Sequence, residues 1–210
     1  MRRTKEDAEK TRQAILASAI DIFCEKGYSK TTFDEIAKRI DLTKGAVYWY
    51  FRNKPDIVAA LINEYVQKYI EGLQRFLKED TIDFSTIIRL VLYNNEQIRT
   101  NPKFYKYLFF ITCQMEWSEA IINKIQPVIE ETKKATRYLF TELLAKLKEN
   151  KKIRDDIDTR LIGEILMTMY GGMLEGYFTK RLTNDFDELV IKGFNLIYEG
   201  IKTEGSENEN

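Results

Sequence analysis

Lys44, Tyr48, Tyr50 and Lys54 crowd into one short stretch, TKGAVYWYFRNK, beginning at Thr43. An ammonium group donates hydrogen bonds to the acceptor edge of guanine and to phosphate, and a phenolic hydroxyl reaches phosphate oxygens. That is the chemistry of gripping a polyanion, not of making or breaking bonds. The rest of the chain offers little for catalysis. Histidine is absent, and the only cysteines are Cys24 and Cys113. The commonest general base and metal ligand is therefore missing. There is no phosphate-binding glycine loop and no nucleophile elbow. No catalytic residue, metal or cofactor is expected.

Three short elements must position these groups. The spacing of Ile15, Ala19, Ile22 and Phe23 predicts a first helix from about Asp7 to Lys26, with Gly27 just past its end. Thr32 followed by Glu35 is a capping box, so a second helix should start at Phe33 and bury Phe33, Ile36, Ala37 and Ile40. Asp41-Leu42-Thr43 then turns the chain, and aspartate tolerates a left-handed turn better than most residues. Thr43 caps a third helix. Asn53 caps a fourth, with Pro55 early and Asp56 completing the cap. Two short helices joined by a tight turn make a helix-turn-helix.

At about 100° per residue, Lys44 and Tyr48 share one face of the third helix, and Val47 and Phe51 share another that packs as core. Trp49 suits core or partner equally. Lys44, Gly45 and Ala46 form a first turn with no bulk beyond one long cation, so this end can approach the floor of a DNA major groove. Lys54, at the start of the next helix, adds a cation to a helix N-terminus.

The run TTFDEIAKRIDLTKGAVYWYFRNKPDIV resembles the DNA-binding head of the TetR family of bacterial transcriptional repressors, most nearly its AcrR-like branch, which controls multidrug efflux. The resemblance covers about the first quarter of the chain and continues more weakly through FFITCQMEW and DIDTRLIGEILMTMYGGMLEGYF. It implies that Thr32, Lys44, Gly45, Ala46, Tyr48, Tyr50 and Lys54 lie at the DNA, and Trp49 joins them as a candidate contact. Asp41 stands where the family usually has glycine.

The remainder reads as helical, with breaks expected near Glu79-Asp80, Asn101-Pro102, Pro127, Glu149-Asn150 and Thr183-Asn184, and one more capping box at Asp185 and Glu188. KFYKYLFFITCQMEW places Phe104, Leu108, Ile111 and Met115 on one stripe with Tyr107 beside it. LIGEILMTMYGGMLEGYF is apolar nearly all round, which predicts burial on several sides. The family resemblance implies a ligand pocket and a four-helix dimer interface in this body. Pocket candidates are Tyr93, Phe104, Tyr107, Leu108, Ile111, Met115, Glu116, Met169, Tyr170, Met173 and Tyr177, and Glu116 or Glu175 could pair a cationic ligand. Interface candidates are Gly172, Gly176, Val190, Phe194, Ile197 and Ile201.

The fold class expected is all-α: a three-helix helix-turn-helix domain over residues 1–54, a larger helical ligand-binding and dimerisation domain over 55–203, and a disordered tail over 204–210. The first 54 residues hold 12 Lys and Arg against 8 Asp and Glu, and the rest hold 21 against 25, so a basic head precedes an acidic body. With no apolar signal segment or membrane span, a cytoplasmic protein is expected. The function expected is that of a homodimeric repressor, released from a palindromic operator by a lipophilic inducer, aromatic or cationic. The rivals are a regulator responding to a fatty acid or acyl-CoA, and a small-molecule binding module or carboxylate-only enzyme without specific DNA recognition.

Overall fold

The computed structural model describes residues 4–203, and the tail expected to be disordered lies outside them. Among the described residues nine α-helices follow one another: α1 Lys5–Lys26, α2 Phe33–Arg39, α3 Lys44–Tyr50, α4 Lys54–Leu73, α5 Phe84–Thr100, α6 Pro102–Phe109, α7 Glu119–Glu149, α8 Thr159–Phe178 and α9 Phe186–Ile201. A 3₁₀ turn, Gln74–Lys78, follows α4, and a π-helical turn, Phe110–Gln114, follows α6. Among the described residues there is no strand, only an isolated bridge between Ile153 and Lys202. No described helix is long and apolar enough to cross a membrane.

The chain folds into two compact units, Met1–Gln67 with Asn101–Glu130, and Lys68–Thr100 with Glu131–Asn210. The expected border at 54/55 falls at the first residue of α4, and residues on both sides of it pack in the first unit.

In the first unit, α1 buries Ile15, Ala19, Ile22 and Phe23, the four residues whose spacing predicted it. It starts earlier than expected, because Thr4 accepts from the Asp7 amide and closes a capping box. Ser18 is buried and donates to the Ile36 carbonyl, tying α1 to α2. Phe23 stacks on Phe110 with ring centroids 4.9 Å apart, and Lys106 pairs with Asp21 at 2.6 Å, so α6 and the π turn rest on α1.

The second unit joins α5, α8 and α9 around a buried polar thread. Asn94 donates to the Tyr170 hydroxyl, which donates to Asn95 Oδ1 at 2.7 Å, and Asn95 donates to Asp187 at 2.7 Å. Arg99 holds the same carboxylate. The two amide nitrogens and the tyrosine hydroxyl are thereby matched, while Asn94 Oδ1 is buried without a hydrogen-bond partner among the described residues.

Two boundaries differ from expectation. Pro127 does not break the chain: it lies inside α7. A proline there removes one backbone hydrogen bond. The residue whose carbonyl is freed, Asn123, is exposed, so water can take that bond. The break falls earlier, at residues 115–118. At α9, Asp185 accepts from the Glu188 amide as expected, but the Glu188 side chain pairs forward with Lys192 instead of closing a capping box.

Candidate nucleic-acid interface

The turn that presents α3 is built by side chains bonding backbone. Thr32 caps α2 through Glu35, whose amide donates to Thr32 Oγ1 at 3.3 Å and whose carboxylate accepts from the Thr32 amide at 3.0 Å. Lys26 also pairs with that carboxylate, and these hydrogen bonds hold the Glu35 carboxyl down at about 2. Asp41 takes φ 53°, the left-handed conformation expected of it. Thr43 Oγ1 then accepts from the Ala46 amide at 3.2 Å, and α3 begins.

Helix geometry fixes what α3 shows. Val47 is fully buried and points inward. Stepping about 100° per residue, Lys44 and Tyr48 lie on one flank, Ala46 and Tyr50 on the other, and Gly45 with Trp49 on the outermost line. Burial agrees: Tyr48 is 51% exposed and Trp49 74% exposed, so Trp49 is not core. Tyr48 leans on Phe33 with centroids 4.8 Å apart, and Lys44 Nζ lies 5.9 Å from the centre of the Tyr48 ring. Trp49 meets the edge of Tyr50 at 4.6 Å. Gly45 has no packing reason within the chain. A β-carbon there would meet only Thr43 Oγ1, at 3.9 Å.

Lys54 is turned differently from the sequence reading. Its Nζ donates to the carbonyls of Tyr28 at 2.7 Å and Ser29 at 3.1 Å and lies 4.4 Å from the Tyr28 ring centre, and burial lowers its pKa. Its first task is to close the loop after α1. Asn53 caps α4 as expected, accepting from the Asp56 amide at 2.9 Å.

The pocket candidates divide between the two units. In the first, Phe104 and Tyr107 are buried core, and Tyr107 stacks on Tyr65 at 4.3 Å. Leu108, Ile111 and Met115 are half-buried. Glu116 accepts from the Ser29 amide and hydroxyl, so within this chain it is a loop anchor. In the second unit, Tyr93 lies beneath the Arg75 guanidinium at 4.0 Å, Tyr170 belongs to the polar thread, and Tyr177 stacks on Phe186 at 4.7 Å. Met169 and Met173 close over Gly193. Glu175 pairs with Arg181.

The interface candidates divide as well. Val190, Phe194 and Ile201 are buried inside the single chain. α9 packs that stripe inward, where Phe84 of α5 stacks on Tyr198 at 4.5 Å. Ile197 is half-buried. Gly176 is closed by Leu182, whose Cδ2 would lie 2.7 Å from an added β-carbon. Gly172 alone of the set stands open, as does Gly171. The uncovered apolar residues of α8 and α9 are Leu161, Ile165, Ile191 and Leu196, which correspondingly shows that α8 is not buried all round.

A capped helix-turn-helix with a cation, a glycine and exposed aromatics at its leading edge defines a DNA-binding protein of the all-helical regulator class. Residues 15–61 match the model of the bacterial regulatory proteins, tetR family. The match covers the helix-turn-helix head, α1 from Ile15 through the first part of α4. The chain is 27% identical over 205 residues to the HTH-type transcriptional repressor BepR of Brucella suis biovar 1 (strain 1330), covering 95% of this chain and 91% of that one. The fold is similar to the crystal structure of NalD, the secondary repressor of the MexAB-OprM multidrug efflux pump in Pseudomonas aeruginosa. There the TM-score is 0.78 at 24% identity, over 95% of this chain and 100% of NalD. A complex of SmeT with triclosan is also similar, with a TM-score of 0.77 at 19% identity over 96% of each chain.

Proposed function

We propose that this chain is a ligand-responsive repressor of an efflux-pump operon. It acts in the cytoplasm as a homodimer on a palindromic operator and is released by a lipophilic small molecule, aromatic or cationic. The observation that carries the reading is α3. Gly45 and Trp49 on its outermost line take no part in the chain's own core, Lys44 stands exposed, and Tyr48 keeps half its surface free while leaning on Phe33. A helix that ends in a small turn and a cation is shaped to read base edges with its first residues. Thr32, Ala46 and Tyr50 border that face, and Lys54 holds the loop behind it. Residues 1–54 then serve the operator, and 55–203 serve the ligand and the second subunit.

The uncovered face of α8 and α9 supports the dimer. Leu161, Ile165, Ile191 and Leu196 are aliphatic and exposed, and Gly172, on the same line of α8 as Leu161 and Ile165, lets another helix approach closely. A two-fold pair of heads matches two half-sites. For the ligand, the half-buried Leu108, Ile111 and Met115 in the first unit and Tyr93, Met169, Tyr170, Met173 and Tyr177 in the second are the surfaces that keep some freedom to meet one. SmeT, a relative in fold, has been captured with triclosan, a lipophilic aromatic molecule. The ligand shifts the heads only as far as its affinity differs between the DNA-fitting and non-fitting states.

The test is a titration of labelled DNA from immediately upstream of the gene, against a scrambled duplex, at two salt concentrations. Tight selective binding that triclosan-like compounds reverse establishes the repressor. Equal, strongly salt-dependent binding to both duplexes means phosphate attraction alone and removes the proposal for that site.

A further inference from the structure

In the second unit, Arg75 lies on aromatic rings and not on an acid. It belongs to the 3₁₀ turn Gln74–Lys78. Its guanidinium carbon stands 4.0 Å from the centre of the Tyr93 ring and 5.0 Å from that of Phe76. The two ring centres are 6.1 Å apart, and the ring planes meet at 55°. The rings thus open as a two-walled corner with the charge seated in it. Phe76 is buried, Tyr93 half-buried and Arg75 exposed, so the corner has a dry floor and an open mouth. Gly72 brings Tyr93 close to α4: an added β-carbon would stand 3.4 Å from the Tyr93 hydroxyl oxygen.

A ring face attracts a cation through its quadrupole, and aromatic cages take quaternary ammonium groups in this way. We propose that Tyr93 and Phe76 form a seat for a lipophilic cation, and that Arg75 fills it as a built-in substitute which the ligand displaces. This inference rests on the ligand-responsive reading above and commits it on charge. The ligand is a weakly hydrated organic cation, such as a quaternary ammonium or phosphonium.

Arg75 is placed to leave. Among the described residues no carboxylate pairs with it, so its departure breaks no ion pair. Glu71, four positions back and exposed, offers the displaced guanidinium a partner at helical spacing. The far end of the turn is held by other groups: Lys146 donates to the Leu77 carbonyl at 2.8 Å, and Arg89 pairs with Glu79. The side chain can therefore swing out while the turn stays. Because the seat is occupied from within, the ligand's apparent affinity is lowered by the fraction of time it stands empty.

The experiment is a calorimetric titration of the full chain with tetraphenylphosphonium, and with triphenylphosphine oxide as its neutral counterpart. It is repeated on Arg75→Ala, Lys78→Ala and Tyr93→Leu, each checked for unchanged helical content. Arg75→Ala should bind the cation about fivefold tighter and the neutral probe unchanged. Lys78→Ala, which removes an exposed cation three residues on, should leave both affinities as they were. Tyr93→Leu should lose about fivefold for the cation alone. The seat is wrong if Arg75→Ala binds the cation no better than the parent, if Lys78→Ala tightens it equally, or if neither parent nor variant binds the cation at all. Operator titration of the same samples separates the two readings. Selective DNA binding without the Arg75 effect removes only the seat, and the Arg75 effect without selective DNA binding removes the repressor and leaves the seat.

Discussion

Two of the surfaces that leave apolar side chains uncovered differ in their chemistry. On α3 they are Tyr48 and Trp49, each with a polar edge and with Lys44 next to them. On α8 and α9 they are Leu161, Ile165, Ile191 and Leu196, aliphatic throughout, with Gly172 alongside. Amphipathic rings beside a cation fit a partner of stacked bases and phosphates. Bare aliphatics beside glycine fit another helix, because only burial against a like surface repays their exposure to water. What an exposed apolar patch is rimmed with says more about its partner than its size does.

That contrast can be broken from either side. The largest effect is expected at Leu196, the most exposed of the aliphatics. Leu196→Glu should leave the helical content intact and yield a monomer by sedimentation, with a loss of about 2 kcal/mol or more in operator affinity. A variant that stays dimeric would show that this face is not the interface. Lys44→Ala should cost about 1–3 kcal/mol on the operator and relax base preference, checked by competition with single-base variants of the site. An unchanged affinity would take Lys44 out of the reading head.

Smaller effects sharpen the comparison. Gly45→Ala should raise thermal stability by about 0.5 kcal/mol, since alanine is the better helix former and meets no clash, while weakening DNA binding. A stabilised variant with full affinity would mean that nothing approaches that edge closely. Asp41→Gly should stabilise the head by up to about 1 kcal/mol, because φ 53° is strained for any residue with a β-carbon. The least effect concerns pH. Glu35 is held at about 2 in the folded head, against roughly 4.3 when unfolded. Its contribution is therefore present above the unfolded value and is lost as pH falls from about 4 through about 2. Glu35→Gln should flatten that part of an acid-denaturation curve, and an unaltered curve would remove Glu35 from the account.

The first unit was legible because its signals are local. Thr32, Thr43 and Asn53 each bond a backbone amide within three residues, so the reader sees donor and acceptor together. Asp41 was legible for the same reason, since its conformation follows from its own side chain and the shortness of the turn. An open groove beside Tyr50, lined by α1 and α3, was not, because those helices come together only on folding. The hold of Lys54 on two carbonyls far back in the chain, at Tyr28 and Ser29, was hidden for a like reason.

The second unit was harder for a physical reason. α9 carries one apolar stripe at helical spacing, Val190, Phe194 and Ile201, and two further apolar residues off it, Ile191 and Leu196. Periodicity finds the stripe but cannot say whether it turns inward or toward a partner, because the sequence does not hold the shape of the neighbours. Packing against α5 and α8 decided it, and the stripe went to the core. Gly176 and Gly172 look alike in sequence, yet one is closed by Leu182 and the other opens outward. The sequence by itself determined that the chain is helical, where its reading head begins and which side chains cap it, since those depend on contacts within a few residues. Only the tertiary structure decided which faces were left for partners, since a face is free only after every other element has taken its place.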